Sequence, residues 1–351
     1  MSPRTIARVP SPADLTDPYR LGAIFGPVDR VERGPRPMTG LSGATLERIL
    51  VELQTGDAVK LVVKRVWPAR DWTAYRTRDT QGREALLLGE PALREVWDCF
   101  PCPYFAFALG ADQAGLLMGD LGEYIMAEAG GPLSTAQEDA FLRVLATMHA
   151  RFWDSEALDL PWLATPEDRF GILGPAAADE EFRRSTDPPP IFHEVRRGWE
   201  IALARVTPPV RELLLRPADH LAGWFVALPR TLLHGDAKIG NCAFLPSGRV
   251  TAFDWAGVGW GPATFDIGYY LAVNGSRLAR PREQVLERYR RLLQESLGRA
   301  IGEPQWEQLE AAAVLAGAMT LLWSKALALD AGINGAEAEW RWWTEQLARL
   351  P

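Results

Sequence analysis

At 351 residues, 47% hydrophobic and 24% charged, the chain has the composition of a soluble globular protein and is too long for one ordinary core, so two lobes are expected. Thirty-eight Lys and Arg against 45 Asp and Glu give a net charge of −7, which leaves no basic stripe for a nucleic acid and mildly favours a cationic small substrate. Three cysteines, an odd number, suit a reducing cytoplasm.

In chain order, residues 1–15 carry no apolar core, so no signal peptide is expected there. Residues 38–45, Met-Thr-Gly-Leu-Ser-Gly-Ala-Thr, are small enough around Ser42 and Gly43 for backbone to approach phosphates, an ordinary turn being the alternative. Two β-type runs, 45–53 and 58–66, flank Thr55-Gly56-Asp57 and read as a hairpin. Lys64 ends the apolar run Leu61-Val62-Val63 and is the candidate phosphate-binding lysine, with Lys60 on the same strand face as its rival. Residues 78–98 read as helical, broken or kinked at Pro91. Glu84 is the candidate partner of Lys64, with Glu90 and Glu95 as rivals. Cys99 and Cys102 have zinc-knuckle spacing without a second pair, so no metal is expected there.

Strands at 104–109 and 115–118 precede Met118-Gly119-Asp120-Leu121-Gly122-Glu123. From Ser134 the pattern becomes helical. Ser134 and Gln137 make a capping-type start, and Phe141, Leu142, Leu145, Met148, His149 and Phe152 recur at helical spacing. His149 on that stripe reads as a satisfied core histidine. Residues 154–190, rich in Pro, Gly, Ala and acids, suggest a lid or a connector. Helices are expected at 194–206, 210–228, 282–297, 305–329 and 336–350. The apolar run 311–323 falls short of the ~20 residues of a membrane span, so a buried helix is expected there. No internal repeat is visible. Among 14 tryptophans, Trp255, Trp260, Trp340, Trp342 and Trp343 would suit either a cage for a cationic amine or, the favoured reading, core packing.

The densest chemistry lies between His234 and Asp254. Thr231-Leu232-Leu233 reads as a buried strand delivering His234 and Asp236 to a loop. Asn241 then opens a strand, Pro246-Ser247-Gly248 turns, and 249–253 returns. An Asp, an Asn five residues on and a second Asp beyond a strand match the template of phosphoryl transfer from ATP. There the first Asp takes the proton of the attacking hydroxyl, and the Asn and second Asp hold Mg2+. Asp236, Asn241 and Asp254 fit these roles, and the hairpin would bring Asp254 back beside Asn241.

His234-Gly235-Asp236, Asn241, Asp254-Trp255, Gly261-Pro262 and Asp266-Ile267-Gly268-Tyr269-Tyr270 together resemble the aminoglycoside phosphotransferase and choline kinase-like superfamily. The segment Leu145 to Trp153 is similar to the "LxxLHAxFW" helix of its ecdysteroid-kinase-like branches. The resemblance is strongest over 231–271, clear at 141–153 and weaker over 38–123. It implies an α+β, protein-kinase-like bilobal fold: a small antiparallel-sheet N-lobe (1–118), an inter-lobe linker (119–123) and a mainly helical C-lobe (124–351). That last lobe would carry the catalytic loop 234–241 and Asp254. It implies ATP and Mg2+ as cofactors, favours Lys64 over Lys60, and assigns the backbone around Met118 and Asp120 to the adenine edge. Asp266 would brace the catalytic loop, and His234 would orient it. Lys238 departs from many antibiotic kinases and resembles the catalytic-loop Lys of protein kinases.

The reading is an ATP- and Mg2+-dependent kinase of a small-molecule hydroxyl, with an aminoglycoside-, choline- or sugar-like acceptor. Nucleic acid and membrane partners are not expected. The alternative is a weak or inactive kinase-like protein that binds nucleotide and regulates a partner. A protein kinase is disfavoured by Gly235 and by the lack of an Ala-Pro-Glu segment, and a hydrolase by the lack of a Gly-x-Ser-x-Gly elbow.

Overall fold

The computed structural model describes residues 5–34, 38–40, 42–126, 130–217 and 228–350. Two compact units emerge. The first comprises Met1–Ala129, Leu160–Trp162 and Ile239–Val258, and the second Gly130–Asp159, Leu163–Lys238 and Gly259–Pro351.

The first unit is built on a seven-stranded sheet. Its strands are β1 (Ala7–Arg8), β2 (Val28–Arg33), β3 (Met38–Thr39), β4 (Thr45–Leu53), β5 (Ala58–Val66), β6 (Tyr104–Leu109) and β7 (Ala114–Gly119). They run in the order β1-β6-β7-β5-β4-β2, with β3 also on β4, and all pairs but β1–β6 are antiparallel. Period-2 alternation decides the buried face: Ile49 and Val51, Leu61 and Val63, Ala106 and Ala108, and Leu117 share one core. Helix α1 (Pro18–Phe25), capped by the Asp17 side chain on the Arg20 N–H, adds Leu21 to it.

The hairpins at 45–66 and 104–119 stand where the sequence predicts them. The sequence predicts neither β1 nor β2. β1 is only two residues long, and β2 reads Val-Asp-Arg-Val-Glu-Arg, a charged edge strand without an apolar run.

The expected helix over 78–98 is corrected. A short helix, α2 (Trp72–Arg76), comes first, and α3 (Arg83–Gly89) starts only after Asp79 has captured the N–H groups of Gln81, Gly82 and Arg83. Beyond Gly89, Pro91 opens a separate 3-10 turn, and Val96–Cys99 forms one further short helix, α4.

The expected lobe division is also drawn differently by the contacts. Strands β9 (Cys242–Phe244) and β10 (Val250–Ala252) pair antiparallel and belong with the first unit. Ala243 bridges Ile125, the Thr251 hydroxyl donates to the Pro101 carbonyl, and Trp255 packs edge-on against Trp97 and Phe100.

The second unit is helical. It contains α5 (Thr135–Arg151), α6 (Pro166–Leu173), α7 (Ala177–Arg184), α8 (Ile191–Arg205), α9 (Pro208–Leu215), α10 (Thr264–Val273), α11 (Arg282–Leu297), α12 (Glu303–Asp330) and α13 (Ala336–Leu347). The antiparallel pair β8 (Thr231–Leu233) and β11 (Gly259–Gly261) lies among them. Ser134 and Gln137 close a complete capping box on α5, as the sequence predicts. The stretch read as a lid or connector instead holds α6 and α7, the former capped by the Thr165–Asp168 box. The later part of the expected 210–228 helix, residues 218–227, lies outside the described residues.

Helix α12 is the axis of this unit and packs against α8, α10 and α13. At 28 residues it is longer than the apolar run suggests, and by length and composition it could span a bilayer. However, 61% of its most apolar window is buried within the protein, the setting of a core helix. Its approach to α10 is close enough that a Cβ on Gly268 would overlap the Ala313 carbonyl, and one on Gly317 the Gly268 carbonyl.

Candidate active site

The first unit gathers a lysine and two carboxylates from distant parts of the chain. Strand β5 carries Lys64, α3 carries Glu84, and Asp254 follows β10. The Lys64 Nζ donates to Glu84 Oε2 and to Asp254 Oδ1, both at 2.6 Å. Burial works against the ammonium, but the charges of Asp254 and Glu84 outweigh it and hold the Lys64 pKa well above its ordinary value. Lys60, its rival, is exposed at the strand end and pairs with Glu123 at 3.2 Å. Glu90 caps the following 3-10 turn through the Ala92 N–H, and Glu95 is exposed.

Glu84 is fixed by groups that sequence reasoning missed. Its Oε1 accepts the Tyr104 hydroxyl at 2.6 Å and the Trp255 N–H at 3.2 Å. Burial and the neighbouring Glu84 charge raise the Tyr104 pKa well above the ordinary phenol value, so Tyr104 is a donor at any working pH. Arg83, 2% exposed, binds the carbonyls of Thr77, Trp162 and Ala256 and so ties α3 to the segment after Asp254. Period and composition carry no signal for such long-range partners.

Ser42 and Gly43 lie in the turn between β3 and β4. There Gly40 N–H donates to Ala44 O at 2.7 Å. The Ser42 hydroxyl donates to Asp71 Oδ2 at 2.6 Å, while Asp71 Oδ1 caps α2 through the Thr73 and Ala74 N–H groups. Burial raises the Asp71 pKa against these hydrogen bonds. Ser42, Lys64, Asp71, Asp79 and Asp254 line one small cleft. Asp71 and Asp79 are additions to the sequence-derived set. Met118 and Asp120 are not part of this cluster. Met118 is buried in β7, and Asp120 binds Arg48 at 3.1 Å and the Gly122 N–H at 3.0 Å.

Asn241 and Asp254 stand at one end of the β9–β10 hairpin, where Phe253 N–H donates to Asn241 O at 3.0 Å. Asp254 adopts a left-handed φ of 63°, which turns the chain sharply after β10 while leaving its side chain 40% exposed. Among the described residues no group of three His, Cys, Asp or Glu is placed to hold a metal ion. A carboxylate and an amide oxygen nevertheless fit Mg2+, which is usually bound by one or two carboxylates, phosphates and retained waters and not by a protein cage.

The second unit holds the His-Gly-Asp loop that follows β8. Gly235 has φ 86°, a conformation a side chain would strain, and this sharp turn lets two successive N–H groups face one carboxylate. His234 N–H donates to Asp266 Oδ2 at 2.7 Å and Gly235 N–H to Oδ1 at 3.0 Å. His149 Nε2 lies 3.3 Å from Asp266 Oδ2, with its Nδ1 2.6 Å from the Tyr289 hydroxyl, and Arg169 lies 3.7 Å from Oδ1. Burial alone would raise the Asp266 pKa, but the His149 hydrogen bond and the Arg169 charge prevail and lower it to about 2. His149 is therefore a buried, partnered core residue, as its position on an apolar stripe suggests. His234 Nδ1 accepts the Asp236 N–H at 3.2 Å, which orients the loop. Asp236 itself receives Lys238 Nζ on Oδ2 at 3.0 Å and the Tyr269 hydroxyl on Oδ1.

The tryptophans divide. Trp255 and Trp343 are buried core residues, while Trp342 already faces an internal cation, the Arg282 guanidinium 4.8 Å from its ring centre.

Three solved structures illustrate the likeness. The choline kinase LicA from Streptococcus pneumoniae is 15% identical over 94% of this chain and 96% of its own, with a TM-score of 0.48. The aminoglycoside phosphotransferase APH(3'')-Id from Streptomyces rimosus is 16% identical over 80% and 92%, at 0.41. The amicoumacin kinase hAmiN, solved with AMP-PNP, Ca2+ and Ami, is 10% identical over 89% and 87%, at 0.49. Among curated proteins none matches this chain. Residues 42–309, well over half of the sequence, match the family model described as the phosphotransferase enzyme family, APH. With its antiparallel sheet in the first unit and its helical second unit, an α+β make-up, the chain belongs to that family.

Proposed function

We propose that the protein is a kinase that moves the γ-phosphoryl group of ATP, with Mg2+, onto a hydroxyl of a small molecule of the choline, aminoglycoside or sugar type. The observation that carries this reading is the buried meeting of Lys64 with Glu84 and Asp254, 20 and 190 residues away in the chain. An ion pair taken out of water is weak evidence for stability, and a buried lysine held charged in a cleft suits phosphate binding better than packing.

In this reading Lys64 grips the nucleotide phosphates, and Glu84, held by Tyr104, keeps the lysine aimed. Ser42 and the backbone beside Gly43 cover the phosphates, while residues 118–120 face the adenine through their backbone. Asn241 and Asp254 would hold Mg2+, which when bound neutralises charge on the phosphate oxygens. Asp236 accepts the proton of the acceptor hydroxyl as its oxygen bonds to phosphorus and the bond to the ADP oxygen breaks. Lys238 steadies Asp236 and the transferred group. Asp266 and His234 hold the loop from behind. A cytoplasmic setting goes with the use of ATP.

The test is ADP release by the purified protein with Mg-ATP across choline, ethanolamine, aminoglycosides, macrolides and sugars. One acceptor that raises release well above background supports the reading and names the substrate class. ATP binding with silence across the panel favours a nucleotide-binding regulator. Absence of ATP binding overturns the proposal.

A further inference from the structure

Both oxygens of Asp236 carry a donor. Lys238 Nζ sits on Oδ2 at 3.0 Å and the Tyr269 phenol on Oδ1. Tyr269 is half-buried on α10, one turn beyond Asp266, the residue whose carboxylate holds the N–H groups of His234 and Gly235. One helix therefore positions the loop that carries the base and the hydroxyl that occupies it. The phenol, like an acceptor, carries a hydroxyl. It donates its proton to the oxygen that an acceptor hydroxyl would use.

We propose that Tyr269 is a guard on the base, holding Asp236 against water until an acceptor displaces the phenol. The inference rests on the kinase reading of this site. Any kinase that activates a hydroxyl can also activate water. In that side reaction the water oxygen bonds to the γ-phosphorus, the bond to the ADP oxygen breaks, and the water proton goes to Asp236, giving ADP and inorganic phosphate. Water brings nothing but its own hydroxyl to this competition. A larger acceptor brings binding energy from its non-reacting parts, which can be used to break the Tyr269–Asp236 hydrogen bond. The discrimination is thus built into a single charge-assisted hydrogen bond. Tyr269 acts here through Asp236 and is a positioning residue.

The experiment measures ADP and phosphate release from Mg-ATP with no acceptor present, for the wild type and Tyr269→Phe, alongside AMP-PNP binding and a thermal melt. Loss of one hydrogen bond to a charged group is expected to raise acceptor-free hydrolysis about tenfold, with AMP-PNP affinity unchanged. A purely structural role for Tyr269 would leave that rate level or lower it. An unchanged or reduced rate in a folded variant that binds AMP-PNP like the wild type overturns the guard and leaves the kinase reading standing. A wild type that fails to bind AMP-PNP overturns both. If the Phe variant does not fold, Tyr269→Leu also removes the hydroxyl and carries the same expectation.

Discussion

Asp266→Asn would delete one buried charge while keeping the size and shape of the side chain. The carboxylate is 0% exposed and receives two backbone N–H groups, from His234 and Gly235, with His149 and Arg169 beside it. Its pKa of about 2 against an ordinary 3.8 corresponds to roughly 2.5 kcal/mol of preference for the charged form. An amide can satisfy one of the two backbone donors, but it turns its own NH2 toward the other. That adds an unsatisfied buried N–H, about 1–3 kcal/mol. The sum, about 3.5–5.5 kcal/mol, is close to what is typical for breaking a buried charged cluster by removing one member, about 3–5 kcal/mol. For the unit that holds Asp266, about 200 residues, the melting point at pH 7 should fall by roughly 7–22 °C in scanning calorimetry. The pH dependence has a definite sign. Because folding lowers this pKa, its contribution is complete above about pH 4 and is lost as pH falls toward 2, so the gap between wild type and variant should narrow in acid. A drop of under about 1 kcal/mol at pH 7, or a gap indifferent to acid, would refute the reasoning.

Asp236→Ala should lower acceptor-dependent ADP release by about 10²–10⁴ while nucleotide binding persists, and a rate within tenfold of wild type would sink the assignment of the base. Tyr104→Phe removes the 2.6 Å donor to a buried Glu84 oxygen and should cost about 1–3 kcal/mol in urea unfolding. An unchanged midpoint there would mean that water or Trp255 N–H suffices. Gly268→Ala places a Cβ on the Ala313 carbonyl and should cost about 3 kcal/mol or more, or prevent soluble expression. A variant melting like the wild type would show that α10 and α12 can separate freely.

The parts of this protein readable in its sequence were those written in local pattern. Alternation placed the 45–66 and 104–119 hairpins, Ser134 and Gln137 announced α5, and Arg282 to Leu297 was bounded to the residue. Lys64 and Lys60 share a strand face, so local pattern could not separate them. Burial did, because the sheet covers one and leaves the other at its end. Glu84, Glu90 and Glu95 compete in the sequence because the helix expected over 78–98 starts too early. Asp79 shortens it by capturing three N–H groups. Tyr104, Asp71 and Arg83, and the role of Tyr269 within its motif, carry no local signal because each gains its meaning from a partner between 20 and 173 residues away that no period reports.

The first unit is discontinuous, and this bears on how the protein can be made. Its sheet is finished by residue 119, yet Lys64 waits for Asp254, 190 residues further along the chain. At the ribosome the amino-terminal half would emerge with Lys64 and Glu84 facing each other and with Trp97 and Phe100 lacking the indole that covers them. Translation proceeds at about 5–20 residues per second, so the wait from residue 119 to Asp254 lasts roughly 7–27 seconds. A fragment cut at residue 129 would be left unfinished for good. The Lys64–Glu84–Asp254 cluster therefore cannot be excised or assembled as a contiguous module, and its completion is postponed until most of the polypeptide exists.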